Sequence, residues 1–164
     1  MARIVKAIDI AAPVEMVFDF VSNARNGLKY MANFTRFEPL GQPERGLGAR
    51  VHASGDLLGV HYETQLEIIK FEPSKALVSR STQGIKSHSI WQFLPLPDGG
   101  TEVTFVSDYV LPGGGLGRVL DRLVIEKSVE KNTIQTLINL KKVIEGKPNL
   151  RVQSRPELNV VASY

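Results

Sequence analysis

The stretch TEVTFVSDYVLPGGGLGR, residues 101–118, decides how the chain is read. Its first half alternates. Val103, Phe105, Ser107, Tyr109 and Leu111 share one face of an extended strand, and Thr104, Val106, Asp108 and Val110 the other. Pro112 stops the strand, and Gly113, Gly114 and Gly115 let the backbone reverse. Beyond them the apolar residues change to helical spacing. A glycine corner before a helix also suggests a phosphate cradle, but the spacing argues against one. A dinucleotide fingerprint needs G-x-G-x-x-G, and counting from Gly113 and Gly115 its last position is Arg118. A Walker loop needs Lys and then Ser or Thr after its last glycine, whereas Gly117 is followed by Arg118 and Val119. The stretch therefore reads as strand, corner, helix.

Working upstream, strands are expected at 35–41, 48–56, 60–72, 76–83, 87–95 and 101–111. The breaks between them are Gly46, the Gly55–Gly59 region, Pro73–Ser74, Gly84 and PDGG at 97–100. Ser87, Ser89, Trp91 and Phe93 share one face of their strand, and Tyr62, Thr64, Leu66 and Ile68 one face of theirs. Such alternation fits an antiparallel sheet with one buried face. A first strand at 3–10 carries Ile4, Ile8 and Ile10 on one parity. Pro13 opens a helix to about Ser22, and a second short helical piece covers 24–32. Downstream, one long helix is expected over 115–145, with Leu116, Leu120, Leu123, Val124, Thr133, Leu137, Leu140 and Ile144 on its stripe. Its outer face carries Arg122, Glu126, Lys127, Glu130, Lys131, Lys141 and Glu145, with i,i+4 pairs at Arg122–Glu126 and Lys141–Glu145. Gly146 and Pro148 end it. The expected fold is α+β: a curved seven-stranded antiparallel sheet wrapped around the long C-terminal helix, with two short helices between strands 1 and 2. Residues 1–146 form the domain, and 147–164 are a C-terminal extension, loose or added as an edge strand.

Composition narrows the function. The chain has 164 residues, enough for one real core, and 43% of them are hydrophobic. Its net charge of +3 is mild and its Lys and Arg are dispersed, so no basic stripe points to nucleic acid. There is no cysteine, hence no disulfide or thiolate metal site. The N-terminus, MARIVKAIDIAAPVEMV, has no uninterrupted apolar core and does not read as a signal peptide. No apolar run approaches the ~20 residues of a membrane span. A cytoplasmic protein without stable membrane insertion is expected.

The order of elements, with IAAPVEMVFDFVSN at 10–23, GLGAR at 46–50, FEP at 71–73, W-x-F-x-P at 91–95, GGTEVTF at 99–105 and YVLPGG…LGRVLDR at 109–122, resembles the START-like, or SRPBCC, superfamily. That superfamily includes the birch pollen allergen fold, and the nearest likeness is to its bacterial polyketide cyclase/dehydrase and lipid transport branch. The likeness spans residues 2–146. It implies a helix-grip fold with a deep cavity between the concave sheet and the long helix, which in such proteins takes lipids, sterols, polyketides or other apolar molecules. Some members are cyclases or aromatases and others only carry or sense a ligand, so fold alone does not decide.

The ligand-binding wall expected on this basis comprises Tyr30, Phe34, Tyr62, Thr64, Leu66, Ser89, Trp91, Phe93, Phe105, Ser107, Tyr109, Leu116, Leu120 and Leu123. Tyr30 stands where many relatives have Trp. Plain core packing competes for each aromatic. The hydroxyls of Ser87, Ser89, Thr64 and Ser107 on the same parity favour a partly polar cavity, because a solid core tolerates them only when they are bonded. Gly113–Gly115 are expected to form a mobile gate at its mouth. His52, His61 and His88 fall on the outer parity, as do Glu63, Glu67, Glu102 and Asp108, which read as solvated charges. His52 and His61 could face each other across a hairpin with Glu63 near, but no diagnostic metal spacing exists. No catalytic residue, metal or cofactor is assigned. The functional reading is binding or transport of a small hydrophobic ligand. The alternative is a polyketide cyclase or dehydratase working in the same cavity, and the third reading is a module that dimerises through the sheet edge or tail.

Overall fold

The computed structural model describes residues 1–110 and 121–146. Seven strands form one antiparallel sheet: β1 (Ala2–Ile10), β2 (Phe34–Pro39), β3 (Arg50–Leu57), β4 (Val60–Glu72), β5 (Ala76–Gly84), β6 (Ser87–Pro95) and β7 (Thr101–Tyr109). Their spatial order is β1-β7-β6-β5-β4-β3-β2, a meander closed by the first strand against the last. Helix α1 (Val14–Ser22) and a 3-10 helix (Ala24–Lys29) carry the chain from one edge of the sheet to the other. The long helix α2 (Arg122–Glu145) covers the concave face. This is the helix-grip α+β arrangement. No helix among the described residues is long and apolar enough to cross a membrane.

Local chemistry sets the element ends. Pro13 precedes α1 with φ −59° and ψ 146°, a ring-fixed entry to the first turn. Gly84 turns β5 into β6 at φ +83°, where an added Cβ would strike the Glu63 carbonyl. Asp121 caps α2, its carboxylate accepting from the Leu123 amide at 2.9 Å. That cap corrects the expected helix over 115–145: Asp121 has ψ 135°, so α2 begins at Arg122. The corner Gly113–Gly115, Leu116, Leu120 and the 147–164 extension lie outside the described residues.

The core occupies one end of the sheet. Ile8, Ile10, Val17, Val103, Leu137, Leu140 and Ile144 are essentially inaccessible. Phe93, placed in the cavity wall by the sequence, belongs to this core instead: its ring meets Phe18 edge-on at 5.3 Å because α1 fills the space above that end of β6. Leu123 is likewise corrected. It is 62% exposed, and Val124 beside it is exposed too. In this first turn of α2 the residue that faces the sheet is Ile125, which is buried, and Leu123 and Val124 stand to its side.

Two charges expected on the outer face of the long helix turn inward. Lys141 is buried and donates to the Asp9 carbonyl at 2.7 Å and to Glu145 at 2.6 Å. Glu145 in turn accepts from the Ala11 amide at 3.0 Å. The end of α2 is thus latched to the end of β1. Lys6 also points to the concave face, opposite Phe105, and is buried with its ammonium 2.9 Å from Glu130 of α2.

Candidate functional site

Successive rungs of β6 and β7 show where packing gives way to open space. The register pairs Phe93 with Val103, Trp91 with Phe105, Ser89 with Ser107 and Ser87 with Tyr109. The first rung is solid core. The second is a tilted pair of rings with centroids 4.5 Å apart. At the third rung both side chains are small hydroxyls, and at the fourth Ser87 is small beside Tyr109, so the space under α2 opens. A cavity of about 220 Å³ results, far more than one water needs. Its roof is one face of α2, made by Ile125, Val129, Asn132, Thr133 and Thr136.

Of the residues expected in the wall, Phe34, Tyr62, Thr64, Leu66, Ser89, Trp91, Phe105, Ser107 and Tyr109 line this cavity. Tyr30 stands behind it: its ring meets Trp91 edge-on at 6.1 Å, and its hydroxyl donates to the Val21 carbonyl. Sequence reasoning missed Ser79, Asn33, Glu44, Asn132 and Thr136. Ser79 had a usable signal, since it alternates with Leu77 on the inner parity of β5. Thr136 had one as well, standing three positions after the inward Thr133. Asn33 and Glu44 sit in irregular segments, where no period applies.

The polar groups of the wall are mostly accounted for. Asn33 donates to the Tyr62 hydroxyl at 2.6 Å, Thr64 to the Gln83 carbonyl at 3.0 Å, and Thr133 to the Val129 carbonyl at 2.9 Å. Thr136 accepts from the Ala32 amide at 3.0 Å, tying the roof to the segment after the 3-10 helix. Burial pushes the Tyr62 phenol up to about 12, against the lowering pull of the Asn33 bond. Burial raises Tyr109 also, as does the nearby charge of Glu126. Both phenols are therefore protonated donors at neutral pH. Glu44 is the sole ionised side chain among the described lining residues, and Arg25 grips both of its oxygens at 3.1 and 2.7 Å.

On the convex side, His88 and Asp108 face each other across β6 and β7 at 4.0 Å. Asp108 is not the solvated charge that alternation suggested. Its side chain is 11% exposed, because Arg3 lies along it with bonds of 2.6 and 2.8 Å. The Arg3 hydrogen bond holds the Asp108 carboxyl below its usual 3.8. A carboxyl depressed on folding contributes stability above its unfolded pKa, and that contribution is lost as pH falls through the folded value. Acid unfolding from about pH 4 downward should therefore be shallower in Asp108→Asn than in the parent. Melting temperatures taken stepwise between about pH 5 and 2 would check this. His52 and His61 do not face each other: the register sets His52 against Gln65 and His61 against Asp56. No group of three or more His, Cys, Asp or Glu side chains able to hold a metal occurs among the described residues.

A family model described as polyketide cyclase/dehydrase and lipid transport matches residues 1–145. Solved structures share the fold at low identity. A Thermus thermophilus protein is 20% identical with a TM-score of 0.77, covering 88% of this chain and 98% of its own. The Zhui aromatase/cyclase of a Streptomyces species is 17% identical with a TM-score of 0.72, covering 88% and 93%. A START superfamily protein from Mycobacterium smegmatis is 17% identical with a TM-score of 0.64, covering 88% and 94%. No curated protein sequence matches the chain.

Proposed function

We propose, since this chain belongs to the polyketide cyclase/dehydrase and lipid transport family, that it binds a small hydrophobic molecule in the cavity beneath α2. The observation that carries this reading is the change from solid to open packing along one pair of strands. Protein interiors are normally close-packed. Here the Phe93–Val103 rung is filled by side chains, and two rungs further on a cavity opens, roofed by a helix whose lower face is partly polar. Aromatic walls supply burial, and a few hydroxyls and amides supply orientation, which is the usual make-up of a small-molecule site.

A ring-closing or dehydrating enzyme would need a group in the cavity able to take a proton. The described wall offers two phenols held protonated by burial and one carboxylate already paired to Arg25. This favours carriage over turnover. Native mass spectrometry of the purified protein should show an added mass that disappears when the protein is unfolded in organic solvent. Nile red should bind the folded protein with increased fluorescence. Binding no greater than to an unrelated compact domain would sink the proposal, and measured cyclisation of a polyketide mimic would replace it with the enzymatic reading.

A further inference from the structure

Three serines form a single row across the cavity floor. The register sets Ser79 opposite Ser89 and Ser89 opposite Ser107, so the row crosses β5, β6 and β7. All of them line the cavity. The Ser79 and Ser89 hydroxyl oxygens are 2.6 Å apart, and either can donate. Each hydroxyl has one proton and two lone pairs. Whichever donates, the other keeps its proton and the pair keeps spare lone pairs. The Ser107 hydroxyl, and the Asn132 amide in the roof, have no hydrogen-bond partner among the described residues. Neither is sealed away from contact, since no buried side-chain polar atom is left unsatisfied. Donors and acceptors are therefore available on both floor and roof of a cavity whose remaining wall is largely apolar.

The charge of the wall is equally informative. Among the described lining residues there is no Lys, Arg or His. Glu44 is negative and Arg25 is committed to it. Lys6, though turned to the concave side, is committed to Glu130 and does not line the cavity. A carboxylate or phosphate entering here would lose its water and meet no cation among the described lining residues, which is costly. A hydrocarbon would leave the Ser107 hydroxyl and the Asn132 amide without hydrogen bonds.

Resting on the binding reading above, we propose that the cavity selects a neutral, mostly apolar molecule carrying hydroxyl or keto oxygens. The serine row and Asn132 hydrogen-bond those oxygens, and anionic amphiphiles such as fatty acids are discriminated against. The row orients the oxygen-bearing part of the ligand, while Trp91, Phe105 and the roof residues Ile125 and Val129 hold its apolar body.

Equilibrium dialysis of the intact protein at neutral pH against naphthalene, 1-naphthol and 1-naphthoate tests this on one skeleton with three polarities. The expected result is 1-naphthol binding about tenfold more tightly than either of the others, the value of one or two satisfied hydrogen bonds. Replacing both Ser107→Ala and Asn132→Ala, which removes the two groups that a hydrocarbon would leave without hydrogen bonds, should bring 1-naphthol down towards naphthalene and leave naphthalene itself little changed. Naphthoate binding as tightly as naphthol would overturn the proposal, as would a naphthol preference that survives in the double variant. Should the double variant fail to fold, the wild-type order of the three probes decides alone. Equal binding of naphthalene and naphthol removes the polar selection while leaving a hydrophobic carrier. Binding of none of the three removes both.

Discussion

Leu137→Ala should destabilise the protein by about 2–5 kcal/mol, while Leu123→Ala, on the same helix, should change stability by less than about 0.5 kcal/mol. Leu137 has no exposed surface and sits in the cluster with Ile8, Val17, Val103, Leu140 and Ile144. Truncating it removes buried methyl groups and leaves a hole that the surrounding sheet and α1 can only partly close. Leu123 is 62% exposed, so its truncation removes little that folding had buried. Urea unfolding of both variants checks the pair. The expected outcome is a markedly lower midpoint for Leu137→Ala at an unchanged slope, and a midpoint near the parent for Leu123→Ala. Similar losses in both would mean that the Leu123 side chain packs as part of the core.

That contrast also shows what could be read from the sequence. Period-two alternation fixes a whole strand once one residue is assigned, because a slip of one flips every side chain. The inward faces of β4, β6 and β7 were legible for this reason, and the outward histidines followed from the same parity. The helix is less forgiving. Leu123 is read onto the stripe of Thr133, Leu137, Leu140 and Ile144, but in its own turn it is Ile125 that faces the sheet. Burial in α2 depends on what lies beneath each turn, which is a property of the assembled sheet. Lys6, Lys141 and Glu145 were invisible for a related reason. A long amphipathic side chain can occupy an inward position when a partner from a distant segment meets its charge, and the partners of Lys6 and Lys141 are Glu130 and the Asp9 carbonyl. Phe93 and Trp91 have identical parity. Only the position of α1 over Phe93 assigns one to the core and leaves the other bordering the cavity.

Trp91→Ala should cost about 3–5 kcal/mol and also change what the cavity holds, because Trp91 belongs to both regions. Its ring packs in the core cluster, edge-on to Tyr30 at 6.1 Å and tilted against Phe105 at 4.5 Å, and another part of it faces the cavity. Removing it joins the cavity to the space the indole occupied and leaves the Tyr30 ring without its partner. A decrease in stability alone would be expected of any buried aromatic. The decisive readout is the ligand preference of the folded fraction. In Trp91→Ala, Nile red should bind more weakly for loss of an aromatic wall, or larger probes should gain relative to smaller ones as the cavity lengthens. Trp91→Phe separates the two roles, since it retains a ring against Phe105 and should recover most of the stability. Because Trp91 is the chain's single tryptophan, its emission reports on the cavity directly. Titrating the parent with 1-naphthol should quench or shift it, in the same concentration range in which dialysis detects binding. An emission spectrum that stays unchanged while 1-naphthol demonstrably binds would place the ligand elsewhere and leave Trp91 a purely structural residue.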